Sequence, residues 1–122
     1  MQIVAIGSGP SHQAPFPTGP AAEILLDERA TGRLAAAHVV LPPGGRMSDH
    51  EHGESEALVV PLAGELLMSS GDQQEKVAPG VVLLLTQGER IRLENQTNEP
   101  VSLLAVFAPG SFVGTLATWP TA

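Results

Sequence analysis

The sequence contains no cysteine and no tyrosine, and its aromatic side chains are limited to three phenylalanines and one tryptophan. The absence of cysteine excludes disulfide bridges, thiolate metal ligands and cysteine nucleophiles. The amino terminus also lacks the basic region and long apolar core of an export signal. Together these absences predict a cytoplasmic protein, since cysteine usage of this kind is compatible with a reducing compartment.

Positive charge is scarce as well. Six lysines and arginines stand against thirteen aspartates and glutamates, which gives a formal net charge of −7. Nucleic acids and anionic membrane surfaces are bound by clustered basic side chains, so neither is an expected partner. No apolar run approaches the roughly 18 residues of a membrane-spanning helix. No membrane span is therefore predicted.

Glycine and proline are abundant, with 13 and 11 copies among 122 residues. They separate short apolar runs such as VVLLLT and VSLLAVFAP, a pattern typical of an all-β sandwich or barrel. The length fits one domain. We therefore predict a single all-β domain over residues 1–122, with a turn-rich arm at residues 1–20 that begins as a short strand in MQIVAI. The following AAEILLDERATGRLAAAHVVL is predicted as a strand, a turn at residues 30–32 and a second strand, with a helix over residues 21–30 as the alternative.

One segment, GGRMSDHEHGESEALVVPLAG, contains two of the four histidines in a His-x-His triplet, followed four residues later by a glutamate. Alternate side chains of an extended strand share a face, so His50 and His52 can present two imidazoles to one ion. Glu56 could add a carboxylate. Two imidazoles and a carboxylate leave positions on a divalent metal open for water, oxygen or substrate. The candidate metal ligands are therefore His50, His52 and Glu56.

This segment resembles the first motif of the cupin superfamily, G-x5-H-x-H-x3,4-E-x6-G. Gly44, His50, His52 and Glu56 match it in spacing. Seven residues rather than six then precede Gly64, and one extra residue in a strand reverses the facing of the side chains beyond it unless a bulge absorbs it.

Whether Glu56 is the third ligand depends on how the strand accommodates the extra residue. Pro61 cannot donate a hydrogen bond to a neighbouring strand, which makes it a natural bulge or edge position. In an alternative register Ala57 takes the place of the glutamate and only two ligands remain. Glu54 could also substitute for Glu56 if the loop turns differently.

A second cupin motif, G-x5-P-x-G-x2-H-x3-N, resembles the segment GVVLLLTQGERIRLEN. Gly80, Gly88 and Asn95 hold their places, while Thr86 replaces the proline and Ile91 replaces the third histidine. The alternation in RIRLEN directs this isoleucine inward. The motif therefore keeps its fold-determining spacing and has lost a ligand.

The resemblance covers residues 34–109 and implies a cupin double-stranded β-helix, that is, a jelly-roll barrel. It also implies Fe, Mn, Ni or Zn bound by His50, His52 and Glu56. Members of the family include dioxygenases, isomerases, epimerases, decarboxylases and noncatalytic binding proteins, so the fold selects no reaction. Three hypotheses follow: a metal-dependent enzyme acting on a small organic molecule, a metal-free isomerase or cyclase with a histidine base, and a noncatalytic binding or sensory domain.

Three further expectations concern structure rather than chemistry. His38 is predicted on the face of its strand opposite the core, in a sheet or subunit contact. Asn95 is predicted to serve a turn, because asparagine tolerates a left-handed backbone. The proline-rich arm and the VVLLL run suggest a homodimer in which two subunits cover each other's sheet edges.

Overall fold

The structure is a computed structural model that describes residues 1–121. The short apolar runs form ten β-strands: β1 (Ser11–Gln13), β2 (Ala21–Leu26), β3 (Ala35–Leu41), β4 (Arg46–His50), β5 (Glu56–Ala63), β6 (Leu66–Ser70), β7 (Gln73–Val77), β8 (Leu83–Leu85), β9 (Ile91–Glu94) and β10 (Val101–Ala108). A 3-10 turn (Gly110–Phe112) and a single short helix, α1 (Val113–Leu116), follow the last strand. Within the described residues, no helix is long and apolar enough to cross a membrane.

The strands form two antiparallel sheets that enclose one core. The larger sheet has the order β1-β2-β3-β10-β5-β8 and the smaller has the order β4-β9-β6-β7. Buried side chains from both sheets belong to one cluster, including Leu66, Met68 and Ile91 from the smaller sheet and Ala37 and Leu103 from the larger. The architecture is the all-β jelly-roll barrel that the sequence predicted.

Side-chain alternation matches the sequence pattern where strands are paired on both sides. In β10, which lies between β3 and β5, every second side chain from Val101 to Phe107 is buried. In β9, Ile91 and Leu93 are buried while Arg92 is exposed. The predicted inward direction of Ile91 is therefore confirmed.

A bulge near Pro61 absorbs the extra residue of the first motif. Leu103 pairs with Pro61 and Ser102 pairs with Ala63, so that Leu62 has no partner of its own on β10. Strand β8 pairs only with residues 57–59, which leaves Pro61 without a neighbour on that side. The missing N–H of the proline therefore removes no ladder hydrogen bond there.

Local expectations near the amino terminus were partly wrong. MQIVAI forms no strand, because the edge beside β2 is taken by β1 and a strand without a partner leaves its backbone groups unpaired. AAEILL is a strand rather than a helix, since β1 and β3 pair with it on both sides. In the VVLLLT run only Leu83–Leu85 is strand.

Candidate functional site

The two histidines of the triplet lie together at one end of the barrel. His50 is the last residue of β4 and is paired with Ile91 of β9. His52 lies beyond the end of the strand, in the connection to β5, so the strict alternation expected for an extended triplet does not hold. Their rings nevertheless meet edge to face, with centroids 5.1 Å apart and planes inclined by 79°.

The hydrogen bond of His50 determines which of its ring nitrogens can accept a proton or ligate a metal. Nδ1 of His50 lies 2.8 Å from the Ser48 carbonyl oxygen. A carbonyl oxygen can only accept, so Nδ1 must be protonated and donate this bond. In the neutral ring Nε2 then carries a lone pair, which is able to accept a proton or to ligate a metal.

His52 is held neutral by its surroundings. The residue is only 7% exposed, and its ring lies 4.9 Å from that of Phe112 and 5.7 Å from that of Phe107, between centroids. Burial, reinforced by the nearby His50, lowers the pKa of His52 from 6.5 to about 4. Near neutral pH the ring is therefore uncharged, with one nitrogen that donates and one that accepts.

Both histidines line an interior cavity that is otherwise apolar. Its volume is about 50 Å³. The remaining lining side chains are aliphatic, aromatic or thioether groups: Val39, Met47, Ala57, Val59, Met68, Leu85, Ile91, Leu93, Leu103, Ala105, Phe107, Phe112, Leu116 and Trp119. The two imidazoles are thus the polar side chains that a molecule in this cavity would meet.

Glu56 is exposed and lies on the opposite face of β5 from the cavity. Ala57 faces inward and lines the cavity, which corresponds to the alternative register. Successive side chains of a strand point to opposite faces, so Glu56 and Ala57 cannot both face the cavity. The bulge comes after Pro61 and therefore does not change which way these first residues of β5 point. As placed, Glu56 and the two histidines do not form a common ligand set.

The neighbouring carboxylates also point elsewhere. Asp49 Oδ2 accepts a hydrogen bond of 2.9 Å from Arg90 Nε, and Glu51 lies 3.7 Å from the same guanidinium group. Glu54 accepts a hydrogen bond from Ser111 Oγ. Within residues 1–121, no three His, Asp or Glu side chains form a group that could hold a metal ion. The donor set at the cavity is two imidazoles, and this does not fit the three protein ligands of a typical catalytic divalent-metal site.

The aromatic side chains of the site were missed in the sequence analysis. Phe107, Phe112 and Trp119 all line the cavity, and they are three of only four phenylalanine and tryptophan residues in the chain. The signal was their concentration in the last strand and the segment after it. Only the return of this segment across the barrel end brings them to the histidines.

Two other residues have structural roles. His38 is on the outer face of β3, as predicted: its Nε2 is 3.1 Å from Ser102 Oγ and its Nδ1 is 3.6 Å from Glu23 Oε1. Asn95 does serve a turn, but through its side chain rather than through a left-handed backbone, since Thr18 is the one non-glycine residue with positive φ in residues 1–121. Its buried amide group donates to the Leu41, Pro42 and Glu99 carbonyls.

Comparisons with known proteins agree with this architecture. Residues 37–107 match the model of the cupin domain family. The chain is 26% identical over 110 residues to the tetracenomycin polyketide synthase protein TcmJ of Streptomyces glaucescens, covering 88% of this chain and 71% of that protein.

Two solved structures share the fold at low sequence identity. The polyketide cyclase RemF of Streptomyces resistomycificus superposes with a TM-score of 0.77 at 19% identity, covering 89% of this chain and 80% of that one. A predicted oxalate decarboxylase of Thermotoga maritima superposes with a TM-score of 0.74 at 23% identity, covering 88% and 98%. Because the family model spans more than half of the sequence, this chain belongs to the cupin domain family.

Proposed function

We propose that the chain binds a small, largely apolar organic molecule in the barrel cavity and catalyses proton transfer within it. The reaction class is isomerisation or cyclisation with a histidine base. The observation that carries this proposal is the pair of imidazoles, one of them held neutral, in a cavity whose other lining side chains are apolar. Groups at a reaction centre are commonly those whose protonation is shifted by burial in a cleft.

His50 is the base in this proposal. Its Nε2 accepts a proton from a carbon next to a carbonyl group, while Nδ1–H stays hydrogen-bonded to the Ser48 carbonyl oxygen. Nδ1 carries its proton whether or not Nε2 is protonated, so proton uptake at Nε2 leaves the hydrogen bond to the Ser48 carbonyl oxygen in place.

His52 stabilises the anion that proton removal creates. A neutral imidazole N–H can donate a hydrogen bond to the enolate oxygen, and the apolar walls strengthen this interaction. The enolate carbon then attacks a second carbonyl of the same molecule and closes a ring. The proton held by His50 passes to the resulting alkoxide, and water leaves in a later dehydration.

The relatives support cyclisation as the reaction. One protein with a similar sequence is described as a polyketide synthase protein and one with a similar fold as a polyketide cyclase. Polyketide chains carry several carbonyl groups separated by acidic methylene groups. Such a molecule supplies both the proton and the electrophile that the histidine pair needs.

A suitable test uses 1-phenylhexane-1,3,5-trione in buffer containing a chelator. Closure between its terminal methyl carbon and its benzylic carbonyl, with loss of one water, yields 5-phenylbenzene-1,3-diol, which chromatography resolves. We expect the protein to accelerate formation of this product, and His50→Gln to lower the rate at least tenfold. His38→Gln, a histidine substitution on the outer face, is the matched control.

Each alternative hypothesis has its own outcome in the same assay. Binding of the trione, detected by a change in the fluorescence of the single tryptophan, without acceleration would favour a noncatalytic binding domain. Activity that appears only when the chelator is replaced by Fe, Mn, Ni or Zn would favour the metal-dependent enzyme. Either result would overturn the metal-free mechanism.

A further inference from the structure

The interior cavity is too small for the molecules proposed to react there. Its volume is about 50 Å³, whereas ligand sites usually measure roughly 300 to 1,000 Å³. A cleft of about 220 Å³ lies immediately outside it, against the same end of the barrel. A ligand of that size that reaches the histidines therefore needs both the cavity and the cleft.

Five side chains lie between these two spaces and line both of them. The side chains that line both are Met47, His50, Phe112, Leu116 and Trp119. Three of them belong to the segment after β10, which crosses the end of the barrel. Displacement of those three side chains would join the cavity and the cleft.

The carboxyl-terminal segment is held firmly at its start. Gly110 packs so closely that an added Cβ would lie 3.0 Å from the Leu34 carbonyl carbon. Ser55 Oγ, which is buried, donates a hydrogen bond to the Pro109 carbonyl oxygen. These contacts fix the point at which the segment leaves β10.

Its far end is held by the amino-terminal arm. His12 Nδ1 donates a hydrogen bond of 2.9 Å to the Trp119 carbonyl oxygen, and Gln13 N–H donates one of 2.7 Å to the Pro120 carbonyl oxygen. Between the two attachments lies α1, a helix of four residues without a side-chain cap. So short a helix gains little stability of its own, and the packing of its side chains holds it in place.

We propose that Phe112 and Trp119 form a movable partition that selects which molecules reach His50 and His52. The cavity and the cleft are two halves of one ligand site, which takes an elongated and largely apolar molecule. Ser48 and Glu51 line only the outer half, so the polar end of that molecule lies outside the partition. This inference rests on the proposed function in one respect, that the cavity is where the ligand reacts.

The absence of cysteine allows a direct test of opening without any ligand. Ala57→Cys places a single thiol in the interior cavity, and Ala37→Cys places one at an equally buried position that does not line it. Each protein is labelled with N-ethylmaleimide, an uncharged reagent suited to an apolar path. We expect the thiol at position 57 to react at least tenfold faster than the thiol at position 37.

The partition itself is tested by adding Trp119→Ala to both reporter proteins. This substitution removes the indole ring and keeps the backbone hydrogen bond to His12. We expect the labelling rate at position 57 to rise at least tenfold and the rate at position 37 to stay unchanged. Equal acceleration at both positions would mean that the substitution only promotes global unfolding, and would overturn the proposal. So would an unchanged rate at position 57.

The outcome is independent of the catalytic proposal, because labelling requires neither substrate nor turnover. Selective acceleration at position 57, combined with no conversion of the trione, would keep the partition and reject the cyclase mechanism. Conversion of the trione with an unchanged labelling rate at position 57 would keep the cyclase mechanism and reject the partition.

Discussion

The rings of His50 and His52 meet edge to face at a centroid distance of 5.1 Å, and His52 is the more buried of the two. Protonation of either ring would place a positive charge beside the other. Burial among Phe107 and Phe112, reinforced by the neighbouring His50, lowers the pKa of His52 to about 4. In the mechanism that we propose, His50 is therefore the base and His52 the neutral hydrogen-bond donor.

The pKa of His52 predicts a loss of stability in acid. Between the unfolded value of 6.5 and the folded value of about 4, the unfolded chain binds a proton that the folded chain excludes. The free energy of unfolding should therefore fall as the pH drops through this window, by about 1 to 2 kcal/mol after allowance for solvent screening near the cavity mouth. Urea unfolding at several pH values measures this loss. His52→Gln should show a shallower dependence than wild type, whereas His38→Gln should not.

Metal binding by His50, His52 and Glu56 stays a prediction that elemental analysis after mild metal loading can test. With Glu56 on the outer face, we expect Glu56→Ala to carry as much metal as wild type, and His50→Ala to carry no more than either. A clear loss of bound metal in Glu56→Ala would contradict this expectation. It would mean that the connection before β5 reorganises around an ion and recruits the carboxylate.

Ile91→His should create a stronger metal site. Ile91 is 2% exposed, lines the cavity with both histidines and is paired with His50. A third imidazole there should raise the affinity for Zn ten- to a hundredfold, about 1.4 to 2.8 kcal/mol, less the cost of burying a polar ring. Melting temperatures with and without Zn report this gain. Arg92→His, on the exposed face of β9, is the control, and an equal response of the two variants would rule out the placement.

Asn95 should be important for stability. Its buried side chain donates to three carbonyls and accepts from the backbone N–H and the hydroxyl of Thr97. Asn95→Ala leaves these groups without partners, so we expect a loss of about 2 to 4 kcal/mol in the free energy of unfolding. Denaturant titration measures it, with Thr97→Ala as a milder comparison. A change below 1 kcal/mol would show that water replaces the side chain.

A homodimer remains the predicted assembly. Val82, Leu84 and Leu58 are exposed on and beside the edge strand β8, where apolar side chains and unpaired backbone groups coincide. We expect light scattering to give twice the chain mass at micromolar concentration, and Leu84→Lys to shift the protein toward monomer. Gln74→Lys, on an exposed position of the smaller sheet, is the control. A monomeric wild type across that range would refute the assembly.

Much of the fold could be predicted from the sequence, because the patterns that indicate it lie within short segments. Glycine and proline punctuation indicated the short strands, and the alternation in RIRLEN placed Ile91 inside. The extra residue before Gly64 indicated a bulge beside Pro61, which the pairing of β5 with β10 contains. Each of these inferences depends on neighbours within one strand or turn.

Other features depended on residues that are distant in the chain. MQIVAI has the composition of a strand, but the edge beside β2 is already occupied by Ser11–Gln13. The facing of Glu56 and Ala57 depends on where the bulge lies within β5. Spacing alone does not decide which of the two residues faces the cavity, since a shift of one residue exchanges the two faces of the strand.

From its own residues, then, the sequence determined an all-β sandwich or barrel and a histidine pair, and its resemblance to the cupin motifs indicated an apolar side chain in the place of a third histidine. Only the tertiary structure decided that Glu56 points away from that pair, and that Phe112 and Trp119 line the cavity beside it. The burial that lowers the pKa of His52 is created partly by Phe112, sixty residues later in the chain. Packing between such distant segments follows from the path of the whole chain, and no local pattern encodes it.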